Sequence, residues 1–432
     1  MIDVRSREFA VPFLQSLIKV DTCNPPGNEH RLALVLQEYL RREGLESSVS
    51  IVGQGRSNLE AVIAGCGERK LMFCGHLDTV SPWTAEAGKY PPHGAVIEDG
   101  RMYGRGTSDM KGGLAAMLLA ALSLQQEGIR LGGDLIVLAT AGEEVDSCGA
   151  RHYAEQHNLE ELDGLVIAEP TGSRVAIGHK GALWLRITLH GRSAHGSMPQ
   201  LGLNAVEGML EVITLLKQHA LEWQAHDPVL GSSSLSVNTI AGGVQTNVIA
   251  DRCSIDVDIR TVPPLQHREL LAAITARLDG MQLNAGFRYE VLELLDRSVV
   301  YTDPGAELIR TALELAGGPG RTAAQGVEAI AAGPNVAADH ADGNVVAKRG
   351  GGADENVSAT TGGVPATPAV QGVSYYTDAS VLHNHGKLPV LIYGPGDPKL
   401  AHQPDEWIDI EAYLESISFY RELAVRFLGV AK

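Results

Sequence analysis

The stretch ATAGEEVD sets two glutamates, Glu143 and Glu144, side by side just after an apolar run. Adjacent carboxylates at the end of an apolar segment repel, and they are costly to desolvate unless positive charge compensates them. Comparable groups recur along the chain. GHLDTV carries His76 and Asp78, GRGTSDMKGG carries Asp109, IAEPT carries Glu169, and GPGDPKLAHQPDE carries His402. Each follows an apolar run or lies in a loop beside one. Singly they have ordinary explanations: an aspartate before a helix is commonly an N-cap, and a loop histidine is commonly a surface residue. Together, two histidines and at least four carboxylates make a donor set suited to Zn(II), Co(II) or Mn(II), with carboxylates able to bridge two ions about 3.5–4 Å apart. The sequence holds no HExxH, no G-x-S-x-G and no phosphate-cradling GxxxxGK[ST]. The chemistry indicated is metal-assisted hydrolysis.

Such residues must be positioned by buried elements. LEAVIAG, KLMFCG, DLIVLAT, DGLVIAEP and KLPVLIYG read as strands, and RLALVLQEYLRREG, GGLAAMLLAALSLQQEG and DIEAYLESISFYRELAVRFL as helices. Near-continuous apolar strands interleaved with helices predict an α/β fold, a sheet covered on both faces. Polar residues beyond its strand ends are then where such folds carry their sites. After Gly181 the texture changes to a strand–helix–strand–strand–helix–strand order: ALWLRITLHG, NAVEGMLEVITLLKQHA, SLSVNTIAGG, CSIDVDIRTVP, ELLAAITARLDG and FRYEVLELL. That order predicts a smaller α+β domain with an antiparallel sheet and helices on one face. The expected organisation is a discontinuous catalytic domain, 1–180 and 296–432, with a mixed sheet flanked by helices and an inserted domain at 181–295. An Ala/Gly-rich insertion, 321–372, interrupts the second catalytic segment and reads as a surface excursion, flap or oligomer contact.

Composition narrows the function classes. A chain of 432 residues is long enough for two cores, and 44% hydrophobic content is ordinary for a globular protein. A formal net charge of -17, with no Lys/Arg cluster, argues against a nucleic-acid partner. No stretch is long and apolar enough to span a bilayer, the N-terminus lacks a signal-peptide pattern, and five scattered cysteines without CxxC spacing suit reduced thiols. The expectation is a cytoplasmic enzyme with no membrane or nucleic-acid partner.

The motifs GHLDTV, GRGTSDMKGG, ATAGEEVD, AEPT, GRSAHGSMP and GPGDPKLAHQPDE occur in the order of the M20 metallopeptidase family, which the chain resembles from Pro12 to its last helix. That family includes deacetylases, desuccinylases, aminoacylases and glutamate-releasing carboxypeptidases. The resemblance implies two divalent ions, zinc first and Co(II) or Mn(II) also possible. Asp109 is implied as the bridging carboxylate, His76 and Glu169 as ligands of one ion, and Glu144 and His402 as ligands of the other. Glu143 is implied as general base, and Asp78 as the partner that orients His76. A cis peptide is implied at Asp109–Met110. His195 in GRSAHGSMP is implied as an oxyanion donor, supplied across a homodimer in some members. Asn247 and Arg260 match substrate-binding positions, Arg260 by a fork suited to a carboxylate, although a surface salt bridge with Asp258 would also explain it. Asp378, in YYTDAS, is expected to order its loop rather than bind metal. The implied substrate is a small N-acyl-L-amino acid, with a dipeptidase or carboxypeptidase as the alternative and a catalytically silent metal-binding protein as a third. Dimerisation through the inserted domain is a further implication.

Overall fold

A computed structural model describes residues 3–317 and 370–431. At the centre of its nine-stranded sheet, Asp134–Thr140, Lys70–His76, Gly164–Ile167 and Val390–Ile392 lie side by side and parallel. Their residues are buried almost without a break, which is why these segments read as continuous apolar runs rather than alternating ones. Arg56–Ile63 and Ser47–Gly53 extend one side antiparallel. Ala176–His179 and Val300–Tyr301 extend the other side antiparallel, and Gln371–Val373 runs parallel to Ala176–His179. The α/β fold with a mixed central sheet is therefore as expected.

Helix Gly112–Gln126 is buried from Gly112 to Leu124, so it is apolar on every side. It packs against the sheet and against the last helix, Ile410–Leu428. Its start comes so close to the sheet that a Cβ on Gly113 would lie 2.2 Å from the carbonyl oxygen of Ala168. Only glycine allows that approach, and it fixes the helix beside the strand end that carries Glu169.

After Ala176–His179 the chain leaves this sheet and builds a second one, entirely antiparallel, in the order Ser234–Gly242, Arg252–Thr261, Gly181–His190, Arg288–Arg297. It then rejoins the first sheet at Val300, which pairs with His179. Leu183, Leu185, Ile187 and Leu189 alternate with less buried residues, as do Cys253, Ile255, Val257 and Ile259. This period of two gives the small sheet one apolar face. Helices Ala205–Glu222 and His267–Ala285 cover that face with Met209, Val212, Leu216, Leu270, Ile274 and Leu278, closing a core separate from that of the large sheet.

Among the elements that were not expected, two are instructive. Helix Arg7–Ile18 forms despite Pro12, because Ala10, Val11, Phe13, Leu14, Leu17 and Ile18 bury one face. Strand Ser47–Gly53 is only half-buried and lacks an apolar run. The stretch expected at 321–372 lies outside the described residues except for 370–372. Among the described residues, no helix is long and apolar enough to cross a membrane.

Candidate metal centre

The parallel central strands end on one edge of the sheet. His76 is the last residue of its strand, Glu143 and Glu144 follow Thr140 after a two-residue turn, and Glu169 follows Ile167 by two positions. Gly142 makes that turn possible: its φ is +78°, and its carbonyl accepts the amides of Asp146 at 3.0 Å and Ser147 at 2.6 Å.

Asp109 lies in the bent segment Thr107–Lys111 that leads into helix Gly112–Gln126, and the Asp109–Met110 peptide is cis. It does not cap the helix, whose N-cap residue is Lys111. Its backbone is gripped from elsewhere. The amides of Ser108 and Asp109 both donate to Glu406 Oε1, at 2.8 and 3.0 Å. Glu406 Oε2 accepts from Arg105 at 2.6 Å, and Arg105 also reaches the carbonyl of His402 at 3.4 Å. Arg105 and Glu406 are buried, so this pair braces the loops of Asp109 and His402 against each other.

The side chains converge. Asp109 Oδ1 is 3.2 Å from His76 Nε2, and Asp109 Oδ2 is 3.4 Å from His402 Nε2. Glu169 Oε1 lies 3.8 Å from His76 Nε2, and Glu144 Oε2 lies 3.1 Å from His402 Nε2. One aspartate thus faces a histidine with each oxygen, and each histidine has one glutamate beside it. Two sets of three donors fall within 4.8 Å of one another: His76, Glu143 and Glu169, and His76, Asp109 and Glu144. Glu143 thereby sits closer to the potential ligands than a detached base would. Asp78 presents its backbone carbonyl to His76 Nδ1 at 2.9 Å, with its carboxylate 3.6 Å away.

Electrostatics describe a site in want of positive charge. Burial and the charge of Glu169 hold the Glu143 carboxyl well above the usual range. Burial and the charge of Asp109 do the same to Glu169, and they also raise Glu144. Burial disfavours the His76 cation, but the hydrogen bond to Asp109 and the charges of Asp78, Glu169 and Glu143 outweigh it and push His76 well up. Hydrogen bonds to Asp109 and Glu144 raise His402 to about 10. Burial opposes ionisation of Asp109, yet its bonds to His402 and His76 lower it. Glu143 Oε1 and Glu144 Oε1 are buried without a hydrogen-bond partner among the described residues. Orphaned carboxylate oxygens beside two imidazoles, with no sulfur donor, fit borderline-hard divalent cations.

Other nominated residues lie apart. His195 and Asn247 are exposed on neighbouring loops at one end of the small sheet, where the Gly196 amide donates to the Asn247 carbonyl at 2.8 Å. His195 Nδ1 contacts Ser197 Oγ at 2.7 Å, and among the described residues no hydrogen bond or ion pair joins His195 or Asn247 to the cluster. Arg260 Nη2 donates to Asp258 Oδ2 at 3.0 Å, and its Nε lies 2.9 Å from Asp258 Oδ1. Asp378 Oδ2 accepts from Thr140 Oγ1 at 2.6 Å, which ties its loop to the strand preceding Glu143. Glu406 and Arg105 were not nominated, although AHQPDE and GRG contain them. Asn24 and Arg56 were also missed, and nothing in their local sequence marks them.

The sequence profile of Peptidase family M20/M25/M40 matches residues 72–426. A probable succinyl-diaminopimelate desuccinylase of Staphylococcus aureus (strain MRSA252) is 28% identical, with 98% of each chain covered. An acetylornithine deacetylase of Vibrio vulnificus (strain CMCP6) is 30% identical over 91% of each chain. Among solved structures, an M20 family metallo-carboxypeptidase from Sulfolobus solfataricus superposes with a TM-score of 0.71 at 18% identity, covering 96% of this chain and 98% of its own.

Proposed function

Because the chain belongs to peptidase family M20/M25/M40, whose members are metal-dependent hydrolases of amide and peptide bonds, we propose that it removes a small acyl group from an N-acyl-L-amino acid. The observation that carries the chemistry is Asp109 standing between His76 and His402, one oxygen toward each. The acyl-amino-acid substrate is supported by end-to-end likeness to proteins named as a desuccinylase and a deacetylase.

In this reading His76, Glu169 and Asp109 would hold one divalent ion, and Glu144, His402 and Asp109 the other; zinc is the first choice and Co(II) or Mn(II) would serve. Bound there, the ions supply Lewis acidity that polarises the scissile carbonyl and acidifies water. Asp78 and its backbone carbonyl fix the tautomer and direction of His76. The Glu143 carboxylate takes the proton of the attacking water and delivers it to the leaving amine nitrogen. His195 donates to the developing oxyanion, and Arg260 and Asn247 receive the substrate, once the small sheet approaches the cluster. Arg260 would exchange Asp258 for the substrate carboxylate, a substitution of one fork acceptor for another.

A panel of N-succinyl, N-acetyl and dipeptide substrates, assayed with Zn(II), Co(II) and Mn(II), tests this reading. Hydrolysis of at least one N-acyl-L-amino acid in preference to dipeptides is expected. Turnover of dipeptides alone would replace the acyl-amino-acid reading with a peptidase one.

A further inference from the structure

Asp78 is fully buried, and its carboxylate does more than stand behind His76. The Glu143 amide donates to Oδ1 at 3.2 Å, and the Glu144 amide donates to Oδ2 at 3.2 Å. Asp78 therefore sets the backbone of the turn from which both glutamates project. Its Oδ2 also receives Asn24 Nδ2 at 2.9 Å. Asn24 is itself buried, and its Oδ1 accepts Arg56 Nη2 at 2.5 Å. The Arg56 side chain is 19% exposed, and its ion-pair contact, with Asp146 Oδ1 at 3.5 Å, is too long for a hydrogen bond of normal strength.

The polarity of this chain is fixed. An asparagine whose oxygen faces an arginine must turn its amide nitrogen to the other side, where the Asp78 carboxylate accepts it. The amide thus couples a cation near the surface to a buried anion, and the bonds in such a series polarise one another. Without Asn24, the Glu143 and Glu144 amides would remain as donors to Asp78, and its carboxylate would lose the amide contact that holds it from outside the turn. A small displacement of the turn would move Glu143 relative to a bound amide, and reaction rates fall steeply with such misplacement.

We propose that Asn24 and Arg56 are positioning residues for amide hydrolysis, a relay that acts through Asp78 on the Glu143–Glu144 turn. The relay rests on the assignment of Glu143 as general base. Neither residue touches the proposed ligands; the Glu144 side chain is also held by His402 at 3.1 Å, whereas Glu143 Oε1 has no hydrogen-bond partner among the described residues, so the relay governs turnover more than substrate affinity or ion content.

The test compares Asn24→Leu, Arg56→Gln, the double variant and Glu143→Ala in the full chain. The readouts are kcat and KM on the best substrate, and Zn(II) affinity by competition with a chromophoric chelator. Each single relay variant should lose about ten-fold or more in kcat. KM should stay within about two-fold, because a contact that matters only to the transition state leaves uniform binding intact. Zn(II) affinity should stay near that of the parent. The double variant should be no worse than the more damaged single, since residues in one series do not contribute independently. Parent-like kcat in either single variant, or losses that multiply in the double, overturns the relay. If Asn24→Leu does not fold, Arg56→Gln decides by the same kcat and KM criteria. Loss of activity in Glu143→Ala beside parent-like relay variants defeats the relay alone, whereas parent-like turnover in Glu143→Ala defeats the base assignment and the relay with it.

Discussion

The two sheets present their polar residues in opposite ways. At the edge of the large sheet, His76, Asp78, Asp109, Glu143 and Glu169 are buried and held in a continuous web of contacts. On the small sheet, His195 and Asn247 are exposed and Arg260 is satisfied by Asp258. The first arrangement is assembled by the fold itself and carries unmet demand for positive charge. The second is at rest and carries no comparable demand. We propose that the difference is a division of labour, with bond cleavage on the large sheet and substrate recognition on the small one.

That division can be broken by experiment, and the largest effect should come from the large-sheet side. Glu143→Ala should lower kcat by about 10²–10⁴-fold, the usual span for loss of a general base. Its Zn(II) content should stay near parent level, and wild-type turnover would remove Glu143 from its role. Next, Glu406→Gln should cost about 3 kcal/mol of stability, because it leaves the buried Arg105 guanidinium without its counter-charge. A melting temperature equal to that of the parent would show the brace to be dispensable. The same variant should bind Zn(II) more weakly, since a carboxamide has one acceptor oxygen and cannot serve both Arg105 and the amides of Ser108 and Asp109.

Substitutions on the small sheet should act differently. Arg260→Ala should raise KM by about ten-fold and leave Zn(II) affinity unchanged, the pattern expected when a contact outside the metal cluster is lost. Lower Zn(II) affinity in that variant would erase the proposed division between the sheets. The smallest effect concerns Glu29, a buried residue of the large-sheet region whose carboxyl is pushed up to about 7 from 4.5, chiefly by burial. Between those values the folded chain holds a proton that the unfolded chain releases, so this contribution to stability is complete below pH 4.5 and is lost as pH rises through 7. Glu29→Gln removes that loss. Its stability relative to the parent should therefore improve by on the order of 1 kcal/mol between pH 5 and 8, as read by chemical denaturation at each pH. A constant difference between the two chains across that range would refute it.

Much of the large-sheet side was legible because its residues follow a simple rule. A buried parallel strand reads as an unbroken apolar run, and whatever polar group comes directly after it lies at the sheet edge. His76, Glu143, Glu144 and Glu169 all obey that rule. Asn24, Arg56 and Glu406 do not, because their importance lies in partners 54, 32 and 301 residues away that local patterning cannot reveal. Helix Arg7–Ile18 was hidden by Pro12, which removes one backbone donor but not the helix's buried apolar face. Strand Ser47–Gly53 was hidden by its exposure at the sheet edge, where partner and register, not composition, decide its state. Strand order in the large sheet depends on where each connection crosses, and periodicity carries no such information.

The contact between Arg105 and Glu406 has a temporal side. A ribosome adds roughly 5–20 residues per second. The 301 positions between those residues therefore correspond to about 15–60 s of synthesis. Throughout that interval the Asp109 segment exists without the carboxylate that grips its amides, and without His402. The candidate donor set is therefore incomplete until the loop of His402 has been made, long after the Asp109 segment that it faces.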